Sequence, residues 1–238
     1  MVYLKNLTVS VSNKIILDNL NFEFKKNKVY ALMGPNGSGK STLAYTIAGH
    51  PAYLTDKKSK LIFNGKNIVK EPPEKRAKDG IFLSFQSPLS LGGVTVFQLL
   101  RLALSGIKDP LSVKQEIDKL AKKLHIKKEL LSRSLNDGAS GGEKKKLELL
   151  QAVLLNPKLL IFDEIDTGVD VDALKIIAQF LDGFKKNRTI ILITHYNRIL
   201  KYIRPDKVLV MTAGRIVKEG DYHLAEQVEK EGYAAIKS

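Results

Sequence analysis

Apolar and polar residues alternate through residues 2–9 and again through 15–24, the period-two pattern of strands with one buried face, and their closeness in sequence predicts an antiparallel pair. Residues 28–33 form a short apolar run that ends at a glycine-rich loop, and 41–49 beyond it reads as helix. Residues 61–64 with Asn64-Gly65 predict a strand entering a hairpin turn. Residues 81–85 predict another buried strand. From about 96 to 135 the texture turns helical: Ile117, Leu120 and Leu124 recur at spacings of three and four, with lysines on the other face. Strands return at 159–163, 189–194 and 208–212, with a helix expected before or between them. Such alternation implies an α/β chain with a parallel sheet covered on both faces. The expected division is an α/β core over about 1–86 and 138–238, with a helical subdomain inserted at 87–137.

Composition narrows the class. A chain of 238 residues supports one sizeable core with an inserted subdomain. No apolar run approaches the roughly 20 residues of a membrane helix. Met1-Val2-Tyr3-Leu4-Lys5 leads directly into a strand pattern without a signal-peptide layout, so a cytoplasmic chain is expected, with any membrane involvement through a partner. The absence of cysteine excludes disulfides and thiolate ligation, and the four histidines are too scattered for a zinc site. The formal charge of +14 raises the question of nucleic acid. The lysines, however, are scattered or in short pairs such as Lys25-Lys26 and Lys185-Lys186, with no arginine-rich arm. Direct nucleic-acid binding is not expected from net charge of that kind.

Candidate chemistry gathers at strand ends. Gly34-Pro35-Asn36-Gly37-Ser38-Gly39-Lys40-Ser41 fits G-x-x-x-x-G-K-[ST] at every fixed position, between a predicted strand and a predicted helix. The glycines let backbone N–H groups turn inward around phosphate oxygens, and the helix N-terminus adds positive potential. Lys40 suits the β- and γ-phosphates, the Ser41 hydroxyl suits Mg²⁺, and Thr42 suits a further phosphate contact. Residues 159–164 are an apolar strand ending in Asp163-Glu164, and buried strands seldom end in paired carboxylates without a cation nearby. Asp163 suits Mg²⁺, through water, and Glu164 suits polarising a water for attack on the γ-phosphate.

Further motifs follow in order. Ala139-Ser140-Gly141-Gly142-Glu143 stands about twenty residues before the paired acids and opens a predicted helix. Gln86 follows the strand at 81–85, Thr167-Gly168-Val169-Asp170 follows the acids, and His195 follows the strand at 189–194. Over essentially the whole chain this set resembles the ABC ATPases, with their signature, Q-loop, D-loop and switch histidine. The resemblance implies a P-loop NTPase (RecA-like) core with an antiparallel β subdomain and an inserted helical subdomain. It implies catalytic roles for Glu164, His195, Gln86 and Lys40, and metal contacts from Ser41, Gln86 and Asp163. It also implies that Ser140, Gly141 and Gly142 face the γ-phosphate of ATP bound by a second copy, so that ATP and Mg²⁺ are sandwiched between two chains.

Flanking residues carry a finer resemblance. Glu143 replaces the usual glutamine of the signature, and Lys144-Lys145-Lys146 follows. The runs 165–175, 194–206 and 214–221, together with Ala48-Gly49-His50-Pro51, are similar to the SufC-like ATPases of SUF iron–sulfur cluster assembly. That implies soluble SufB/SufD-like scaffold partners, which must supply the cluster ligands because this chain has no cysteine. An ATPase subunit of a membrane transporter has the same catalytic motifs and is the alternative. Near Val11, where many ABC ATPases stack adenine on an aromatic, no aromatic stands. In the family a groove beside the Q-loop receives the partner, which points here to residues 87–94. Pro88, Gly92 and Gly93 break regular structure there, and Leu89, Leu91 and Val94 are apolar in what is expected to be an exposed loop, unless they tuck under the helical block.

Overall fold

The computed structural model describes residues 1–195 and 198–236; Tyr196 and Asn197, within the run flanking His195, lie outside the described residues. β1 (Val2–Val11) and β2 (Lys14–Phe24) form the expected antiparallel hairpin, turned by Ser12 and Asn13, both at positive φ. Such a turn matches the right-handed twist of the strands it joins. A register shift at Asn6, also at positive φ, keeps Leu4 and Leu7 on the same buried face. β1 also pairs with β4 (Leu54–Thr55) and β5 (Lys60–Phe63), and Asn64-Gly65 returns the chain into β6 (Lys66–Asn67).

The second sheet supplies the frame of the site. Its order is β13 (Arg215–Gly220), β12 (Lys207–Thr212), β3 (Val29–Met33), β11 (Thr189–Ile193), β10 (Leu159–Asp163), β7 (Ile81–Ser84). All neighbours are parallel except β12 with β13. Every residue of β3, β10 and β11 is buried, as expected of parallel strands covered on both faces. In β10, Leu159 and Ile161 face the layer between the two sheets, around α1 (Lys40–Ala48), while Leu160 and Phe162 face the opposite core. That second core lies under α6 (Gly141–Leu155), α7 (Val171–Phe184) and α8 (Tyr222–Glu231). It continues through Val96, Leu100, Val113 and Ile117 into α3 (Val96–Ala103), α4 (Pro110–Lys123) and α5 (Lys128–Ser132). α2 (Pro73–Lys78) packs its buried Arg76 against the end of α1.

The α/β fold agrees with the sequence reading, and two details differ. Residues 96–135 are not uniformly helical. Leu91–Thr95 (β8) and Ser134–Leu135 (β9) pair across the base of the insertion, so Leu91 and Val94 belong to a strand rather than a free loop. Two short strands joined by pairing some forty residues apart leave no local periodicity to read. Between β11 and β12, where a helix was expected, the described residues hold only a 3₁₀ turn at Ile199–Lys201. Pro205 disfavours helix at the residue before it, which limits the room for one.

Candidate active site

The loops that follow β3, β7, β10 and β11 leave the same carboxyl edge of four adjacent strands, which brings distant motifs together. The first is the turn from β3 into α1. A Cβ on Gly34 would lie 2.3 Å from the Met211 carbonyl oxygen, so only glycine passes there. Gly39, at φ 101°, takes the N-cap position of α1 with no side-chain cap, leaving first-turn N–H groups for an external acceptor. The Lys40 ammonium is buried and donates to the carbonyls of Gly34 at 2.9 Å and Pro35 at 3.0 Å, with Ser38 Oγ at 3.4 Å. Burial lowers its pKa, opposed by the charges of Glu164 and Asp163. A phosphate is a stronger partner for it than these carbonyls.

β10 delivers Asp163 at 1% exposure, and both its carboxylate oxygens are buried without a hydrogen-bond partner among the described residues. Burial raises its pKa; the Ser41 hydroxyl opposes this, Glu164 adds to it, and Lys40 opposes it in turn. Among the described residues no three or more His, Cys, Asp or Glu gather to cage a metal by themselves. Mg²⁺ needs no such cage: it takes one or two protein oxygens and completes its shell with phosphate and water. The two orphaned acceptors of Asp163 beside the Ser41 hydroxyl fit that requirement.

Glu164 sits at φ 53°, a left-handed conformation that costs a non-glycine residue about 1–2 kcal/mol. Three elements hold its carboxylate. Gln86 Nε2 donates to Oε2 at 2.8 Å, Thr167 Oγ1 donates to the same oxygen at 3.2 Å, and His195 Nε2 lies 2.9 Å from Oε1. Its own N–H donates to the Ile193 carbonyl at 2.9 Å. The strain is therefore tolerated where it turns the acid into a cleft of about 490 Å³. That cleft runs from Val11 and Ile16, past Asn36, Gly37 and the residues Gly39 to Thr42, to Gln86, Glu164 and His195. The size and the chemistry suit a nucleoside triphosphate with its charged tail at the α1 terminus.

Ser140, Gly141 and Gly142 do not line this cleft. They form a second helix N-terminus, that of α6. Ser140 Oγ accepts from Glu143 N at 3.3 Å and Glu143 Oε2 accepts from Ser140 N at 2.9 Å, a reciprocal cap. This explains the carboxylate at 143: the Ser140 backbone N–H and the Lys127 ammonium, 3.0 Å away, lower its pKa to about 2. A Cβ on Gly141 would lie 2.7 Å from the Gly168 carbonyl oxygen, so the signature and the D-loop are in close contact.

The structure thus gathers nine of the sequence-derived residues on one wall, places Gly34, Pro35, Ser38 and Asp163 behind it, and keeps the signature apart. Sequence reasoning missed Ile16 and Tyr53 in the lining and the hold of Thr167 on Glu164. Tyr53 stacks on Tyr45 with centroids 5.3 Å apart, and only its place after His50-Pro51 in a family-like run could have flagged it.

Residues 17–167 match the family described as ABC transporter. The chain is 43% identical to the probable ATP-dependent transporter ycf16 of Trieres chinensis, over 98% of this chain and 96% of that one. It is 44% identical to a probable ABC transporter ATP-binding protein of Streptococcus pyogenes serotype M18, over 98% and 93%. In three dimensions it resembles a dimeric ATP-binding cassette, MJ0796, described in a post-hydrolysis state with ADP and Pi, with a TM-score of 0.80 at 20% identity over 93% of this chain and 98% of that one.

Proposed function

Because this chain belongs to the ABC transporter family of ATPases, we propose that it works as one half of a head-to-tail pair that closes on two ATP molecules. One observation carries the reading. Its own cleft is lined by groups suited to phosphate and to activating water, while the second helix terminus suited to an anion, at Ser140, is not part of that lining. Each signature then completes the site of the other copy. Lys40 and the α1 terminus hold the phosphates. Ser41 and Asp163, with Gln86, would hold Mg²⁺, which would supply neutralisation of the phosphate charge. Glu164 accepts a proton from water as the water oxygen bonds phosphorus and the bond to the ADP oxygen breaks. His195 keeps Glu164 oriented and meets the γ-phosphate. Loss of the γ-phosphate loosens the pair, and repeated closure moves whatever the two copies carry.

The partner read here is a SUF-type iron–sulfur assembly scaffold of SufB/SufD-like chains. Two of the flanking runs behind this reading meet in space: Asp166 is buried and accepts from Thr194 Oγ1 at 2.8 Å. The docking surface is the apolar groove of Phe82, Leu83, Phe85, Leu89 and Leu99 beside the Q-loop, where Leu89 is 67% exposed. The second reading, a membrane transporter's ATPase subunit, is favoured by the names of the relatives, which call them transporters or transporter components. No helix of the described residues is long and apolar enough to cross a membrane. Affinity capture of the native chain with mass spectrometry decides. A co-purifying SufB/SufD-like scaffold supports the first reading, and a polytopic membrane protein replaces it with the second.

A further inference from the structure

The lysine run after the signature is not a solvated patch of charge. Lys145 and Lys146 are buried, and Lys145 faces the same side of α6 as Glu148, one turn on. Their charged ends are 3.4 Å apart. Lys145 Nζ donates to the carbonyl oxygens of Phe85 at 2.6 Å and Gln86 at 3.2 Å. Glu148 Oε2 accepts from Ser84 Oγ at 2.7 Å, and Oε1 accepts from the Phe85 N–H at 3.1 Å. The three donors of the ammonium thus meet three acceptors, and both carboxylate oxygens are engaged. Every bond outside the pair lands on Ser84, Phe85 or Gln86, the step from β7 into the Q-loop. Neither side chain lines the nucleotide cleft.

A buried ion pair contributes little to stability compared with apolar residues of the same volume. Burial raises the pKa of Glu148, against the pull of Lys145, Ser84 and the Phe85 amide, so the arrangement works against its own desolvation. What it supplies is direction: aliphatic side chains could fill the space but could not hold two backbone carbonyls and an amide.

We propose that Lys145 and Glu148 are positioning residues that fix the start of the Q-loop so that Gln86 meets Glu164, and that they fasten that loop to the helix bearing the signature. The proposal rests on Gln86 acting in the ATPase site. α6 and Gln86 then move as one body, and a displacement of the signature end reaches the same chain's Gln86 without passing through the cleft.

The test combines Lys145→Met with Glu148→Gln, which removes both charges together and leaves no unpaired ion in the core. This neutral pair is measured alone and in a Gln86→Ala background, with its partner present. Melting temperature, binding of a fluorescent ATP analogue, kcat and KM are followed. The expected result is a folded chain with binding and KM within about twofold of the parent, kcat lower by about tenfold, and little further loss when Gln86→Ala is added. Unchanged kcat, or losses that multiply with those of Gln86→Ala, overturn the tie. Full turnover by Gln86→Ala alone is a separate failure, which removes the Gln86 assignment and the inference with it. Should the neutral pair unfold, Glu148→Gln alone is measured: a kcat drop of about threefold is expected, and none overturns the proposal.

Discussion

Two helices of this chain open on glycine-rich sequence, and they are finished in opposite ways. α1 begins at Gly39 with no side-chain cap, and a buried ammonium, Lys40, stands beside its terminus. α6 begins at Ser140 with both halves of a capping box made within the chain. The first terminus is left unfinished inside a cleft that already holds Lys40 and Glu164. The second is stabilised by its own side chains and sits outside that cleft. Under the proposed head-to-tail pairing, an anion site that works within one chain is preassembled, whereas a site meant for another copy's ligand has to be stable while it waits.

The comparison can be broken most severely at the acid between the two termini. Glu164→Gln is expected to keep ATP binding and lose turnover by at least about 100-fold, about 2.7 kcal/mol of barrier, while trapping an ATP-bound pair visible by light scattering. Near-parental turnover with the partner present would remove Glu164 as the base.

Next comes the division of labour itself. Lys40→Ala should abolish nucleotide binding. Gly141→Ala, whose Cβ would meet the Gly168 carbonyl at 2.7 Å, should keep binding and lose turnover by on the order of 10-fold or more. Mixing the two variants rebuilds one intact site, the cleft of the Gly141→Ala chain under the signature of the Lys40→Ala chain. Turnover well above either variant alone is therefore expected, and a mixture no better than its parts contradicts the head-to-tail arrangement.

A smaller effect concerns the α6 cap alone. Glu143 has its pKa depressed to about 2, so its contribution to stability is complete above the unfolded value of 4.5 and is lost as pH falls through about 2. Glu143→Ala should lower stability by about 1 kcal/mol at neutral pH, and the difference in denaturant midpoint from the parent should shrink between those two values. A difference that does not change with pH would mean the cap is not ionic.

The smallest stability effect is expected away from both termini. Leu89→Asp, on a residue 67% exposed, should shift stability by no more than about 0.5 kcal/mol yet abolish capture of the partner. A large fall in melting temperature would instead return Leu89 to a packing role. The paired variant Leu91→Asp is the less exposed control, at 38% and within β8.

Much of the site could be read from the chain because its motifs are short and contiguous. The phosphate loop needs glycines at fixed spacings, and paired acids at the end of an apolar run announce themselves. Thr167 and Tyr53 could not be read that way. A threonine that holds Glu164 and a tyrosine on the cleft wall have no local signature; their roles come from which strands lie side by side. Lys145 stood out in the sequence only as one of Lys144-Lys145-Lys146 beside the signature, and Glu148 not at all, since nothing in a lysine triplet says which member turns inward. The strands β8 and β9 escaped for the same reason, their pairing being remote.

Period-two runs, a six-residue glycine loop and an apolar strand with two acids determined by themselves that this chain is α/β and carries phosphate chemistry. Hydrophobic periodicity and backbone conformational limits act over a few residues, so the sequence displays them directly. The tertiary structure alone decided that Gln86, Thr167 and His195 converge on one carboxylate, that the signature stands outside its own cleft, and that a lysine and a glutamate of the signature helix grip the Q-loop. Those contacts depend on the order of parallel strands in the sheet, which brings together residues far apart in the chain.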